Sequence, residues 1–308
     1  LICEFFIYTN QARLLIPSPN SADARFVRGP LMTVPVIHPA WSRAPLSMTD
    51  GYSLEMTAKD RAALAEAAPL IAPETPVAIT FLPGEAIDAR IDAARDVRAL
   101  GFEPMPHLSA RRIASHDELE QIVRRTVAEA GAKRMFLVAG DPPIPAGPFA
   151  DTMALLATGL FEANGITAIG IAGHPEGHPA MDEAQCWAVL EEKRAEITQR
   201  GMATLIVTQF GFDADPFIRW LEQLRARGID CPVRIGVPGP AGIKTLLRFA
   251  AHCGVGASAA VMTKYGVSLT KLLGTAGPDK LVDRLAARLT PAHGPVRLHF
   301  YPFGGLAR

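Results

Sequence analysis

From position 52 onward, short apolar runs alternate with longer segments of helical period. Residues 52–56 (YSLEM) read as a strand, and 57–71 carry alanine-rich helical spacing behind Thr57, a residue type that caps helix starts. Residues 77–84 (VAITFLPG) read as a second strand stopped by Pro-Gly, and 87–101 as a helix closed by glycine. An irregular, proline-bearing strand at 102–108 precedes a helix that opens at Ser115 with an acidic first turn. The alternation continues with strands at 135–141, 166–173, 204–210, 233–237 and 296–303. Helices are predicted over 148–163, 181–200, 214–227, 241–252 and 279–289.

Eight extended runs separated by helices, with no hairpin signal, call for parallel strands joined by right-handed crossovers. Eight such units within about 250 residues fit a closed (βα)8 TIM barrel better than a doubly wound sheet. No GxGxxG follows the first strand, which also counts against a dinucleotide-binding sheet. Residues 1–48 are rich in Pro, Ser and Arg and weakly periodic, so the expectation is an N-terminal extension or arm followed by a single barrel domain over 49–308.

Composition narrows the function classes. The 308 residues are 49% hydrophobic and 20% charged, as in a globular protein. Lys+Arg and Asp+Glu both number 31, so no general electrostatic footprint for nucleic acid or an anionic membrane exists. Apolar runs are broken too often for a membrane span, and a cytoplasmic location is the expectation. Cys3, Cys186, Cys231 and Cys253 lack metal-knuckle or CxxC spacing, which predicts reduced thiols and no metal.

In a barrel the chemistry collects at the carboxyl ends of the strands. Glu55, Thr80, His107, Asp141, Gln209, His299 and Tyr301 fall at or near those ends. Strand parity puts Gln209 on one face with Leu205 and Val207, and Asp141 with Met135 and Leu137, each as a polar cap on an apolar row. A charged Glu55 beneath a helical layer is costly, which favours the barrel mouth. Structural roles stay open for Asp141 as a turn cap and His107 as a satisfied histidine. His174, Glu176 and His178 in GHPEGHP invite a metal reading, but glycine and proline prevent the helical face that HExxH needs. GVPGPAG (236–242) before a helix offers backbone N–H groups to an anion, a weak signal. No GxSxG, P-loop or kinase motif occurs. Glu55 with Asp141 would suit a glycosidase, yet 3 Trp and 4 Tyr are few for a sugar-stacking groove.

Taken in order, YSLEMT, ITFLPG, PHLSARR, AGDPP, HPEGHP, VTQFGFD, VPGPAGIKTLLRFA, TKYGVSL and HFYPF resemble the methylenetetrahydrofolate reductase family from about Tyr52 to Tyr301. Each piece is weak alone; GDPP, HPEGHP and TQFxFD at successive strand ends are specific together. The resemblance implies a (βα)8 flavoenzyme that reduces 5,10-methylenetetrahydrofolate to 5-methyltetrahydrofolate, or runs the reverse, with hydride passing through FAD. It implies Glu55 as the acid that opens the imidazolidine ring and Asp141 as a catalytic and pterin-side group. Gln209 and Ile243 fall at substrate positions, and Thr80, His107, Ala139, His174 and His178 at flavin positions.

Several positions depart from the family pattern. Ala139 stands where an arginine often precedes GD, His174 replaces a tyrosine, and Ile243 stands where some relatives carry phenylalanine. The stretch from Trp187 to Lys193 lacks the usual aspartate, asparagine and lysine set, and HFYPFGG replaces HFYTLN. These changes bear on the electron donor: NADH or NADPH is implied, with slow direct reduction expected and room for an electron-transfer partner protein or a homo-oligomer. A pterin-dependent methyltransferase on the same architecture and a non-catalytic flavin- or folate-binding subunit stay open as alternatives.

Overall fold

The computed structural model describes residues 47–252, 255–256 and 275–306. Most of the expected N-terminal arm, the TKYGVSL segment, Cys3 and Cys253 lie outside these residues. Cys186 and Cys231 are free thiols.

Seven parallel strands come first: β1 (Ser53–Met56), β2 (Pro76–Ile79), β3 (Glu103–Ser109), β4 (Arg134–Val138), β5 (Ala168–Gly173), β6 (Ala203–Phe210) and β7 (Val233–Pro238). A two-residue ribbon, β8 (Ala241–Gly242) with antiparallel β9 (Thr275–Ala276), stands outside the main sheet. The last strand, β10 (Val296–Tyr301), enters between β7 and β1 and closes an eight-stranded barrel. The expected (βα)8 TIM barrel is the observed architecture.

The helices are α1 (Arg61–Ala67), α2 (Ile87–Ala99), α3 (His116–Ala130), α4 (Thr152–Leu156), α5 (Leu160–Ala163), α6 (Glu183–Gln199), α7 (Ala214–Ala226), α8 (Ile243–His252) and α9 (Asp279–Arg288). Their ends follow local chemistry. Ser115 Oγ accepts the Glu118 N–H at 3.1 Å to open α3, and Asp182 and Gln185 form a reciprocal capping box at α6. The single helix expected over 148–163 is instead the pair α4 and α5. Gly159 between them takes a left-handed φ of 71°, which an α-helix cannot continue through. Among the described residues no helix is long and apolar enough to cross a membrane.

Alternation along each strand separates two cores. Met56, Val77 and Ile79 point outward onto Leu64 of α1 and Ala93, Ala94 and Val97 of α2. Inward, Ala78, Met105, Phe136, Val138, Leu205 and Val207 form a separate buried cluster drawn from β2, β3, β4 and β6. The opposite half of the interior is polar. Ser53 and Glu55 on β1, Arg234 on β7, and Arg297 and His299 on β10 are all buried. At the amino-terminal end, Arg234 donates to the carbonyls of Gly51 (3.0 Å) and Leu298 (3.4 Å), tying the chain before β1 across the barrel floor. Burial, with Arg134 and Arg297 close by, lowers the Arg234 pKa to about 9.

The apolar half is filled to contact. Gly170 on β5 stands directly opposite Phe136 in the ladder, and a Cβ there would lie 2.4 Å from Phe136 Cδ2. Gly170→Ala is therefore expected to destabilise the barrel by about 1–3 kcal/mol through overpacking. The measurement is the urea midpoint at unchanged m-value; an unaltered midpoint would mean that the ring moves aside freely.

Candidate active site

The sequence SLE puts Ser53 and Glu55 on the inward face of β1, because Glu55 stands opposite inward-facing Ala78. Glu55 is 1% exposed, and among the described residues neither carboxyl oxygen has a hydrogen-bond partner. Burial alone holds its pKa well above the usual carboxylate range, which favours the protonated acid over the carboxylate. On β10, His299 stands opposite Ser53, with Nδ1 2.8 Å from Ser53 Oγ. Its Nε2 faces Glu55 Oε2 at 3.6 Å. Burial, then Arg234 and His107, push the His299 pKa far down. The contact thus joins two neutral groups and is not an ion pair. Tyr301 completes the cluster: its Oη donates to the Thr208 carbonyl at 3.0 Å, and burial beside Glu55 raises its phenol pKa.

Gln209 lies buried at the end of β6, and among the described residues neither of its amide atoms has a partner. The β6–β7 register shifts between Val207 and Phe210, so this strand end is irregular where the amide emerges. Thr80 Oγ1 donates to the Met56 carbonyl at 2.9 Å. His107 is buried against Phe136, with ring centroids 4.8 Å apart, and burial lowers its pKa to about 3. Nearby on the same strand, the buried Ser109 Oγ has no partner among the described residues.

Asp141 is where the parity argument fails. Met135 and Leu137 face the helices, β4 ends at Val138, and Gly140 turns the chain at φ 90°. Asp141 is consequently a loop residue, half-buried and paired with Arg112 from the turn after β3. Ala139 enters through its backbone, accepting the Arg111 N–H at 2.9 Å. The GVPGPAG segment spends amides internally: Gly236 N–H donates to Thr208 Oγ1 (2.9 Å) and Gly239 N–H to the Tyr301 carbonyl (2.8 Å).

In the loop after β5, the His174 and His178 rings meet edge to face at 5.0 Å. The His178 Nδ1 accepts the Ala180 N–H at 3.1 Å, and burial lowers the His174 pKa to about 3. Glu176 accepts the Gly256 N–H at 2.8 Å. Among the described residues no group of His, Cys, Asp or Glu is arranged to hold a metal. Ile243, the first residue of α8, is buried in the main core, while Phe303 stacks on Phe249 at 4.3 Å. A cavity of about 440 Å³ between α6 and α7 involves Trp187 and Trp220 but none of Glu55, Gln209 or His299.

The structure therefore gathers Glu55, Ser53, His299 and Tyr301 into one cluster, with His107 close enough to influence His299. It keeps Asp141 on the rim and Ile243 in the helical layer. Ser53 is the residue that sequence reading missed; the shared parity of Ser53 with Glu55, and of His299 with Tyr301, is the signal that could have found it.

The buried groups give opposite pH dependences. Glu55 keeps its proton in the fold above its ordinary value of 4.5, whereas the unfolded chain loses it, so its contribution falls as pH rises toward the folded pKa. His107 stays neutral in the fold down to about 3, so its contribution is present above 6.5 and is lost as pH falls. Glu55→Gln should thus be more stable than the parent at neutral pH, by a margin growing up to about 1.4 kcal/mol per pH unit above 4.5. Urea unfolding of both proteins from pH 5 to 8 would measure the margin; a constant difference would mean that Glu55 titrates normally in the fold.

Comparison with known proteins places this geometry in a lineage. The profile of the family described as methylenetetrahydrofolate reductase matches residues 62–301. The chain is 29% identical over 175 residues to "Methylenetetrahydrofolate reductase (NADH) 1" of Arabidopsis thaliana, covering 52% of this chain and 29% of that protein. It is 31% identical over 160 residues to "Methylenetetrahydrofolate reductase 2" of Saccharomyces cerevisiae, covering 49% of this chain and 25% of the relative. With "5,10-methylenetetrahydrofolate reductase" of Pectobacterium carotovorum the identity is 29% over 150 residues, covering 49% of this chain and 48% of the relative. The matched portions thus span between a quarter and a half of these relatives' lengths. Because the profile runs from α1 to the final residue of β10, taking in every barrel strand but the first, the chain belongs to the methylenetetrahydrofolate reductase family.

Proposed function

We propose that this chain is a flavin-dependent reductase that converts 5,10-methylenetetrahydrofolate to 5-methyltetrahydrofolate, or runs the reverse, with Glu55 as the general acid. The observation that carries the reading is a carboxyl group kept neutral by burial inside the mouth of a barrel of this family. A methylene bridging two nitrogens accepts hydride poorly until one C–N bond opens. Proton donation from Glu55 to the departing nitrogen leaves an electrophilic iminium on the substrate. A carboxyl group that is still protonated at neutral pH suits that step; an ordinary exposed glutamate would already have lost its proton.

The remaining residues would bind and orient. Gln209 brings an acceptor and two donors, all buried and unpaired, which fits the polar edge of a pterin. Asp141, held by Arg112, supplies a carboxylate at the rim. The unpartnered Ser109 hydroxyl, with His107, Thr80 and the apolar Val138 and Ala172, fits a planar heterocycle of flavin type, and the His174/His178 loop continues that wall. FAD, when bound, supplies the hydride. The Arabidopsis relative carries NADH in its name, which makes NADH the first donor to test. Ile243 is buried and offers no aromatic face, so its part in substrate binding would be to shape the wall of the site.

Glu55→Gln should fold and bind flavin yet lose about 10²–10⁴-fold in methylenetetrahydrofolate reduction. Gln209→Ala should retain the flavin spectrum and bind folate about tenfold or more weakly, because the pterin edge is left unpaired. Anaerobic stopped-flow observation of the visible flavin band tests the whole reading. Methyltetrahydrofolate should bleach the oxidised protein, whereas NADH or NADPH should bleach it slowly, with an electron-transfer protein as the alternative donor. Rapid, saturable bleaching by NADH would assign the nicotinamide site to other residues. Methyl transfer without any flavin would favour a pterin-dependent methyltransferase; flavin or folate binding without turnover would favour a binding subunit.

A further inference from the structure

The strand ladder does more than bury Glu55; it delivers a specific neighbour to it. Ser53 and His299 are directly opposed on β1 and β10, so the Ser53 hydroxyl meets Nδ1 at 2.8 Å while the other ring nitrogen turns toward Glu55 Oε2 at 3.6 Å. Among the described residues Nε2 and both Glu55 oxygens have no other hydrogen-bond partner. The ring is further fixed by Tyr301, edge to face at 4.7 Å, whose own hydroxyl is committed to the Thr208 carbonyl. The titratable or charged groups around this pair are Tyr301 on the same strand, His107 on β3 and Arg234 on β7. A buried cation and a second histidine both oppose a charged imidazole, so His299 is neutral and carries one N–H. The Ser53 hydroxyl can donate to Nδ1 or accept from it; when it donates, the ring N–H sits on Nε2, the nitrogen facing Glu55.

We infer that Ser53 and His299 are a positioning pair for Glu55: the serine hydroxyl fixes the Nε2–H tautomer, and Nε2–H receives the glutamate carboxylate when Glu55 has given its proton to the substrate. The inference rests on the reading of Glu55 as proton donor. The proton that leaves Glu55 goes to the substrate nitrogen, while the ring proton stays on Nε2 throughout, so His299 never becomes charged. Against the neutral acid the 3.6 Å separation is a loose contact. Against the carboxylate it shortens to a charge-assisted hydrogen bond by a small side-chain rotation. The pair therefore favours the ionised form and draws the Glu55 pKa down from the level that burial alone would set.

Removing the donor has a definite sign. His299→Leu leaves the carboxylate unsolvated, so kcat falls about ten- to a hundredfold with little change in KM. The alkaline limb of the kcat/KM profile, where Glu55 loses its proton, moves up by about one pH unit or more. His299→Gln, whose amide N–H reaches the position of Nε2, should restore the parent limb and most of kcat; Ser53→Ala should shift the limb in the same direction as Leu, but less. Equal losses in the Leu and Gln variants with an unmoved limb would overturn the pairing in favour of plain packing.

Two measurements need no turnover. Nitrogen-15 spectra of histidine-labelled protein should show a protonated Nε2 and a bare Nδ1 at position 299, and the opposite tautomer would refute the inference. The carboxylic-acid infrared band that disappears in Glu55→Gln should persist to higher pH in His299→Leu than in the parent, and an unchanged titration would refute it equally. Both readouts survive a misfolded Leu variant, because Ser53→Ala can be titrated in its place. If they behave as expected and no folate is reduced, the reductase reading fails while the pairing stands.

Discussion

A carboxyl group inside a closed barrel can be neutralised by its proton, by a cation or by a fan of donors, and which of these operates shapes everything around it. At Glu55 it is the proton. Among the described residues no cation touches the carboxyl and no backbone amide reaches it, and its neighbours are a neutral imidazole and a phenol whose hydroxyl is engaged elsewhere. The nearest strongly basic layer, around Arg234, lies toward the barrel floor and is bound to backbone carbonyls. The barrel thus separates its cations from its acid along its axis.

The apolar half of the interior makes this arrangement tenable. Phe136 packs on Gly170 and joins Met105, Leu205 and Val207 in a close apolar cluster on that side of the interior. Outside, the β-strands rest on helices through a second set of apolar residues, so the wall carrying Glu55 is held from both faces. The cost appears in the pH dependence of folding: a neutral Glu55 works against stability above its ordinary pKa, as expected where a site keeps a group out of its preferred state.

The loops supply what the barrel strands do not. Arg112 reaches Asp141 from the turn after β3, and Glu176 spans from the β5 loop to Gly256, so neighbouring rim segments are tied by charge-assisted contacts. Ala139 brings no side-chain charge to the rim, and the guanidinium beside Asp141 comes from the adjacent strand's turn instead.

Periodicity, capping residues and strand count determined the (βα)8 architecture, because each unit carries its own local signals: Ser115 opens its helix where the sequence says, and Glu55 turns inward as the cost of a carboxylate beneath helices requires. The motifs likewise pointed to the family from the order of short segments alone. Parity failed at Asp141, since alternation holds only while a strand lasts, and β4 ends at Val138 before the turn at Gly140. The 148–163 helix broke at Gly159 for a similarly local reason, one residue's left-handed backbone. Only the tertiary structure could decide the state of Glu55. Ser53 and His299 are 246 positions apart, and their meeting depends on β10 closing the barrel against β1, a pairing that no local pattern encodes. Burial is a property of the closed barrel, and burial decides whether a glutamate is a carboxylate or an acid.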